Sequence, residues 1–474
     1  MNFNKKLATA VSGAVLLMAG QFALADSTTD IVDALVSKGV LTEEEGKLIT
    51  KGAVSKAKAD EKANKSRISV GSFIDNATMY GDIRARYERR DADVVSTTGS
   101  PNTDSNRARY KITLGIETKS GNMYSDLAFA MGDNGRSDNT SFGDVTTGNA
   151  GDKTKSALFV KRAMFGWKAT DWLTLEAGRM KNPLYMVNAM VFDHDSVMDG
   201  LSEKLNYKMG DTNLFANLGQ WIYTGKEVAS TNGGTSTTTR QNMVLAFQAG
   251  AEQAFIADKL SAKGAVGYYN YTANSSGVLG TYQPSIGDVA GPGITTPFRQ
   301  YAVNDLAILD IPFEFNYMAT PTFGIKPYAE YAYNTLGSDR YNASGNSSGL
   351  SKDDTAWLVG LSLGSAKDMK AFAGKKLAKN DWNANLWYQS VGTFALDQNA
   401  VDSDIFDGRL NMEGTVLKAQ YMVEDNFALN FTGGWGGRKN NQYGNSAPKV
   451  DIGSSGVSSI DNYSLYQFDA TYKF

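Results

Sequence analysis

Met79-Tyr80-Gly81-Asp82-Ile83-Arg84-Ala85-Arg86-Tyr87-Glu88 reads with a period of two. Met79, Gly81, Ile83, Ala85 and Tyr87 fall on one side; Tyr80, Asp82, Arg84, Arg86 and Glu88 fall on the other. Successive side chains of a strand point to opposite faces, so this stretch is a strand with one apolar and one charged face. The pattern repeats where Ala108, Tyr110, Ile112, Leu114 and Ile116 alternate with Arg107, Arg109, Lys111, Thr113 and Glu117. It returns where Leu309, Ile311, Phe313, Phe315 and Tyr317 face away from Asp310, Glu314 and Asn316. A soluble sandwich would alternate too, with its apolar face inward. Strand length, strand number and loop rhythm separate the two.

Sixteen such segments of roughly ten or more residues can be placed, at the length a membrane barrel strand needs. Their centres lie near Arg84, Ile112, Leu127, Met164, Leu175, Leu205, Ala216, Leu245, Val266, Ile311, Ala329, Leu361, Leu386, Leu417, Leu429 and Phe468. Short connections such as Gly121-Asn122, Thr170-Asp171, Gly210-Asp211 and Asp425-Asn426 alternate with long ones near 89–106, 132–154, 182–200, 223–240, 272–304, 335–353, 394–407 and 437–460. Short periplasmic turns and long extracellular loops are the rhythm of outer-membrane barrels. One turn departs from it: Ser365 to Asn380 is long and Lys-rich, and the count could slip there by one hairpin. The expected fold is all-β, a transmembrane antiparallel barrel of about sixteen strands over 77–474.

The segments before residue 77 have another texture. Lys5 and Lys6, the apolar run from Leu7 to Ala19, and Ala23-Leu24-Ala25 read as a signal peptide over 1–25. Residues 26–76 read as two short helices and a linker placed in the periplasm, with Thr42-Glu43-Glu44-Glu45 as a capping box. They are too small to hold a core alone. They either pack on a partner, associate with copies of themselves, or form a plain spacer.

Composition removes much of enzyme space. The chain of 474 residues has no Cys and one His, which excludes thiolate nucleophiles, cysteine metal centres and multi-His sites. With 47 basic and 50 acidic residues the net charge of −3 gives no reason to expect nucleic acid. No cofactor or resident metal is expected. Asp193-His194-Asp195 followed by Asp199 echoes a calcium loop, but at the wrong spacing.

Tyr466, Phe468, Ala470, Tyr472 and Phe474 alternate with Gln467, Asp469, Thr471 and Lys473. This resembles the closing strand of outer-membrane barrels, whose terminal aromatic is read by the insertion machinery. The resemblance implies that Tyr466, Phe468, Tyr472 and Phe474 act as the insertion signal and that the barrel assembly machinery is a partner. The N-terminal helical stretch, the Arg-rich first strand and the run Leu175-Glu176-Ala177-Gly178-Arg179-Met180-Lys181-Asn182-Pro183-Leu184 resemble the "putative porin" family. That family is similar in layout to the phosphate-selective porins, which have sixteen strands and trimerise. The resemblance implies a passive outer-membrane channel in contact with lipid, built as a homotrimer. Phosphate selectivity does not carry over, because the candidate constriction loop here is acidic.

That loop runs from Asn182 to Gly200 and holds Met186, Val187, Ala189, Met190, Val191 and Phe192, then Asp193, Asp195 and Asp199. An exposed loop gains nothing from so many apolar side chains. Folding into the barrel would bury them and turn the three carboxylates to the lumen; packing on a neighbouring subunit is the alternative. Inward positions of the first two strands place Arg84, Arg86, Arg107, Arg109 and Lys111 on the opposing wall. Arg84, Arg86, Arg109, Lys111, Asp193, Asp195 and Asp199 are therefore the candidate pore-lining and constriction residues. The expected function is a water-filled channel for ions and small hydrophilic solutes. The alternative is a structural or adhesion protein using its surface loops. A hydrolase is disfavoured, because the single His, His194, lies in a loop.

Overall fold

The computed structural model describes residues 42, 44, 74–94, 103–132, 138–143, 156–224, 228–232, 235–239, 242–272, 305–343, 352–408, 410–440 and 460–474. The expected signal peptide, and the helical segment except Thr42, Glu44 and its last residues, lie outside the described residues. The chain divides into two units, Met1–Met79 and Tyr80–Phe474.

Alternating sequence becomes strand at each expected centre. The long strands are β1 (Asn76–Val94), β2 (Thr103–Ser120), β3 (Met123–Gly132), β4 (Ala157–Lys168), β5 (Leu173–Lys181), β6 (Val197–Met209), β7 (Thr212–Thr224) and β8 (Asn242–Ile256). They continue as β9 (Leu260–Tyr271), β10 (Ala307–Thr320), β11 (Phe323–Asn334), β12 (Thr355–Ser365), β13 (Trp382–Val391), β14 (Met412–Glu424), β15 (Phe427–Arg438) and β16 (Ile460–Lys473). Each pairs antiparallel with its neighbours in sequence, and β16 returns to β1 in a register running from Asp82↔Lys473 to Asp93↔Asn462. The sheet is a closed sixteen-stranded antiparallel barrel with no open edge. At the seam Gly81 and Phe474 exchange backbone hydrogen bonds of 2.9 and 3.1 Å. A Cβ on Gly81 would meet the Phe474 ring at 2.7 Å, so the aromatic covers a position only glycine fits.

Two-residue turns such as Gly210-Asp211 close the short end, with Gly210 at φ +60 as tight hairpins require. The turn from Ser365 to Asn380 does not shift the count. It carries a one-turn helix, α2 (Met369–Ala373), after α1 (Gly337–Ala343) in an earlier loop. Asp368 caps α2 by accepting from the Ala371 amide at 2.7 Å, and Phe372 packs with Met318 and Ala366.

Burial is reversed relative to a soluble sandwich. Ile83, Leu201, Phe247, Val266, Val359 and Phe468 are exposed, while Arg86, Glu88, Arg109, Gln248, Asp310 and Glu330 are buried. A continuous exposed apolar belt of this kind marks a surface made for something other than water. The polar faces point into the lumen. No described helix is long and apolar enough to cross a membrane.

Candidate functional site: two inward loops and an arginine wall

The strand alternation decides which side chains reach the lumen, and β1 sends in Arg84, Arg86 and Glu88. Glu88 is fully buried and accepts from Arg107 Nε at 2.6 Å, with Arg90 Nε at 3.0 Å and Arg109 Nη1 at 3.9 Å. Arg86 grips Asp469 through two parallel bonds, Nε–Oδ1 at 2.7 Å and Nη2–Oδ2 at 3.0 Å. Arg84 bonds to Asn139 and lies 3.8 Å from Asp469. Further round, Arg162 Nε donates to Asp126 at 2.6 Å. Bidentate and multiply bonded guanidinium groups are held in fixed geometry, so this wall is a rigid array of charge.

The third long connection lies against the opposite side. Its non-strand part is residues 182–196, because β6 begins at Val197. Leu184, Val187, Ala189, Met190, Val191 and Phe192 are buried, and Phe192 meets the inward ring of Tyr269 edge-on at 5.2 Å. Gln248 on β8 fixes the loop backbone. It accepts from the Tyr185 amide at 2.7 Å and donates to the Tyr185 carbonyl at 2.9 Å, imitating one rung of a sheet.

A second loop, between β13 and β14, folds in beside it. Phe394, Leu396, Ile405, Phe406 and Leu410 share the buried cluster or lie fully buried beside it. The Asp193 amide donates to the Ala400 carbonyl at 2.6 Å, and the Ser403 amide donates to Asp193 Oδ2 at 3.3 Å, so the two loops are tied together. This second loop brings Asp402 to Lys418 at 3.3 Å and Asp404 to Arg86 Nη1 at 3.0 Å.

The expected residues separate into three groups. Arg84, Arg86, Arg109 and Lys111 all lie on the inward faces of β1 and β2. Asp195 joins them: it sits 3.6 Å from Lys111 and 3.0 Å from Lys161. The surrounding wall and loop partly desolvate Asp195, which opposes ionisation, but Lys111 and Lys161 outweigh this and hold its carboxyl below the usual range. Asp404 behaves the same way, with Arg86 and Arg84 outweighing burial. Asp193 faces the second loop rather than the basic wall. Burial first, then Asp402, pushes its carboxyl up to about 7. Asp199 is not brought to the others. It lies on β6, pointing outward, with Arg179 Nη1 at 2.6 Å. On the strand, period two sends Met198 inward and Asp199 out, which corrects its placement among lumen carboxylates. Tyr466, Phe468 and Tyr472 project outward from β16, beside Phe474 at its end.

Lys161, Asp402, Asp404 and Gln248 were not among the expected residues. A β-bulge opposite Ala128 and Phe129 turns Lys161 inward next to Arg162, against simple alternation. The second loop carries the same surplus of apolar side chains that marked the third, and that signal could have found it. Gln248 has no signal in sequence beyond a polar residue between Phe247 and Ala249. Among the described residues no group of three or more potential ligands could hold a metal.

A closed barrel with a lipid-type exterior and a polar, charged interior defines a channel-like β-barrel protein of the outer membrane. Residues 89–296 match the sequence model of the family described as "Putative porin", the family that the Leu175–Leu184 run resembles. No curated protein matches the chain. Solved structures that it is similar to include outer-membrane-expressed OmpT of Vibrio cholerae, at 12% identity and TM-score 0.39, covering 86% of this chain and 100% of that one. The outer membrane channel DcaP of Acinetobacter baumannii is similar at 13% identity and TM-score 0.39, covering 84% and 97%. OccD1 (OprD) is similar at 10% identity and TM-score 0.40, covering 86% and 97%.

Proposed function

We propose that this protein is an outer-membrane porin whose lumen passes ions and small hydrophilic solutes by diffusion, narrowed where residues 182–196 and the β13–β14 loop face the arginine wall. The observation that carries this reading is the reach of Asp195 from the third loop to Lys111 and Lys161 on the wall. Charges of both signs across a narrow aqueous gap are screened less than on an open surface, so they orient dipolar solutes and act on both cations and anions. Nothing in the passage has to be energised or catalysed. In this reading residues 1–25 are removed on export, 26–76 stand in the periplasm, and three copies assemble. Tyr466, Phe468, Tyr472 and Phe474 serve as the insertion signal, and Phe474→Asp is expected to leave protein in the periplasm, read by membrane fractionation.

Planar-bilayer reversal potentials in a salt gradient test the passage. Asp193→Asn with Asp195→Asn is expected to move preference towards anions. Arg84→Gln with Arg86→Gln and Arg109→Gln is expected to move it towards cations. If neither set shifts, or both shift the same way, these loops do not narrow the channel.

A further inference from the structure

The outward positions of the described strands carry apolar side chains around most of the wall, but on β5–β7 this pattern breaks. Arg179 Nη1 and Asp199 Oδ2 pair at 2.6 Å on the outer surface, with the two side chains 38% and 46% exposed. Beside them Gln220 Nε2 donates to Glu203 Oε2 at 3.2 Å. The outward direction follows from the alternate positions: Met180, Met198, Ser202 and Trp221 are buried, and Trp221 Nε1 donates to Ser202 Oγ inside the barrel at 2.9 Å. Leu201 sits between the two polar pairs, opposite Ala177 on β5 and Gln220 on β7, and is 52% exposed.

The patch lies within the apolar band rather than beyond its rim. Arg179 is level with Ala163 on β4, and β4 continues towards its loop end with Val160 and Leu158 both exposed. Towards the turn end Tyr207, Met209 and Leu214 are exposed. Glu203 is six residues from the β6 terminus at Met209, about 15 Å along the membrane normal for a tilted strand. Facing lipid, an Arg near the midplane costs roughly 2–4 kcal/mol, falling towards the interfaces. Pairing with Asp199 lowers that cost without removing it, and the bond that Glu203 accepts comes from the neutral amide of Gln220, which brings no countercharge.

We infer that the outer face of β5–β7 is covered by a second copy of this chain, an assignment that rests on the homo-oligomer reading above. The patch carries both a donor-rich cation and carboxylates, so two copies complement one another: the guanidinium of one wall meets carboxylate and amide oxygens of the next. Ala177, next to Arg179 on the outward face of β5 and opposite Leu201, is small and lets two walls approach closely there. Lipid chains offer neither hydrogen bonds nor countercharge.

The chain has no Cys, so Leu201→Cys is a single thiol in the full-length protein, and Leu361→Cys on the outward face of β12 is its control. In intact outer membranes a short bis-maleimide is expected to join Leu201→Cys chains into pairs and to leave Leu361→Cys chains single. Glu203→Leu is expected to weaken the assembly, whereas on a lipid-facing wall it would leave the barrel unchanged or stabilise it. If Leu201→Cys stays single while the native mass remains a multiple of the chain, this face is not the contact. If the native mass is that of one chain, the homo-oligomer reading falls as well.

Discussion

The two sides of the lumen are built on different physics. On β1, β2 and β4 the inward positions hold Arg84, Arg86, Arg109, Lys111 and Arg162, each tied to carboxylates or amides. On β8–β13 the loop-end positions hold Val244, Tyr269, Ile308, Leu358 and Val391, and the two inward loops lie on them. Apolar contact decides where the loops dock, and charge decides what they face. A loop with only carboxylates would have no reason to leave water. A loop with only apolar side chains would dock without altering selectivity. Residues 182–196 carry both, in that order along the chain.

The strongest way to break this division is Arg86→Gln. It takes from Asp404 and Asp469 the guanidinium bonded to both and leaves Asp469 only the more distant Arg84 at 3.8 Å; breaking a buried pair typically costs about 3–5 kcal/mol. A lowered thermal unfolding midpoint is expected, largely restored when Asp469→Asn is added; no drop would mean that the wall is not held by its pairs. Gln248→Leu attacks the other side. It leaves the Tyr185 amide and carbonyl without their side-chain partner, at about 1–3 kcal/mol for each buried group. The released loop is expected to give larger and noisier single-channel conductance, and an unchanged conductance would place the anchoring elsewhere.

A smaller effect is expected from pH, and it sharpens the contrast between the two loop carboxylates. Asp195 is held ionised by its lysines, whereas Asp193, raised from 3.8 to about 7, takes up a proton within the physiological range. Because the folded value lies above the unfolded one, protonation favours the docked loop. That contribution is complete below the unfolded value and is lost as pH rises through about 7. Raising pH across this window is expected to move reversal potentials towards cation preference, and Asp193→Asn to flatten the change. The smallest effect belongs to Lys379, paired with Glu424 at 2.7 Å on the exposed turn. Lys379→Ala is expected to leave conductance and unfolding midpoint where they are, as solvated pairs generally do.

The barrel was legible because period two is written locally: every expected strand centre falls inside an observed strand. The facing of Arg84, Arg86 and Arg109 followed from the same rule. What was not legible depended on longer range. With the loop taken as Asn182 to Gly200, Asp199 counts as loop, yet β6 pairs from Val197, and on the strand its side chain turns outward. Lys161 turns inward through a bulge that alternation cannot announce. The β13–β14 loop held the same clue as the third, an unexplained surplus of Phe, Leu and Ile, but its docking partners come from distant strands.

The bidentate contact between Arg86 and Asp469 spans 383 positions and joins the first long strand to the last. During synthesis the guanidinium exists long before its carboxylate, so β1 cannot complete its interior until β16 arrives. Contacts of such high sequence separation form slowly, because chain entropy is lost before they reward it. The seam therefore works as a completeness check. A barrel closed without Asp469 leaves Arg86 short of its bidentate partner, which disfavours premature closure on fewer strands, and only the full set of strands supplies that carboxylate.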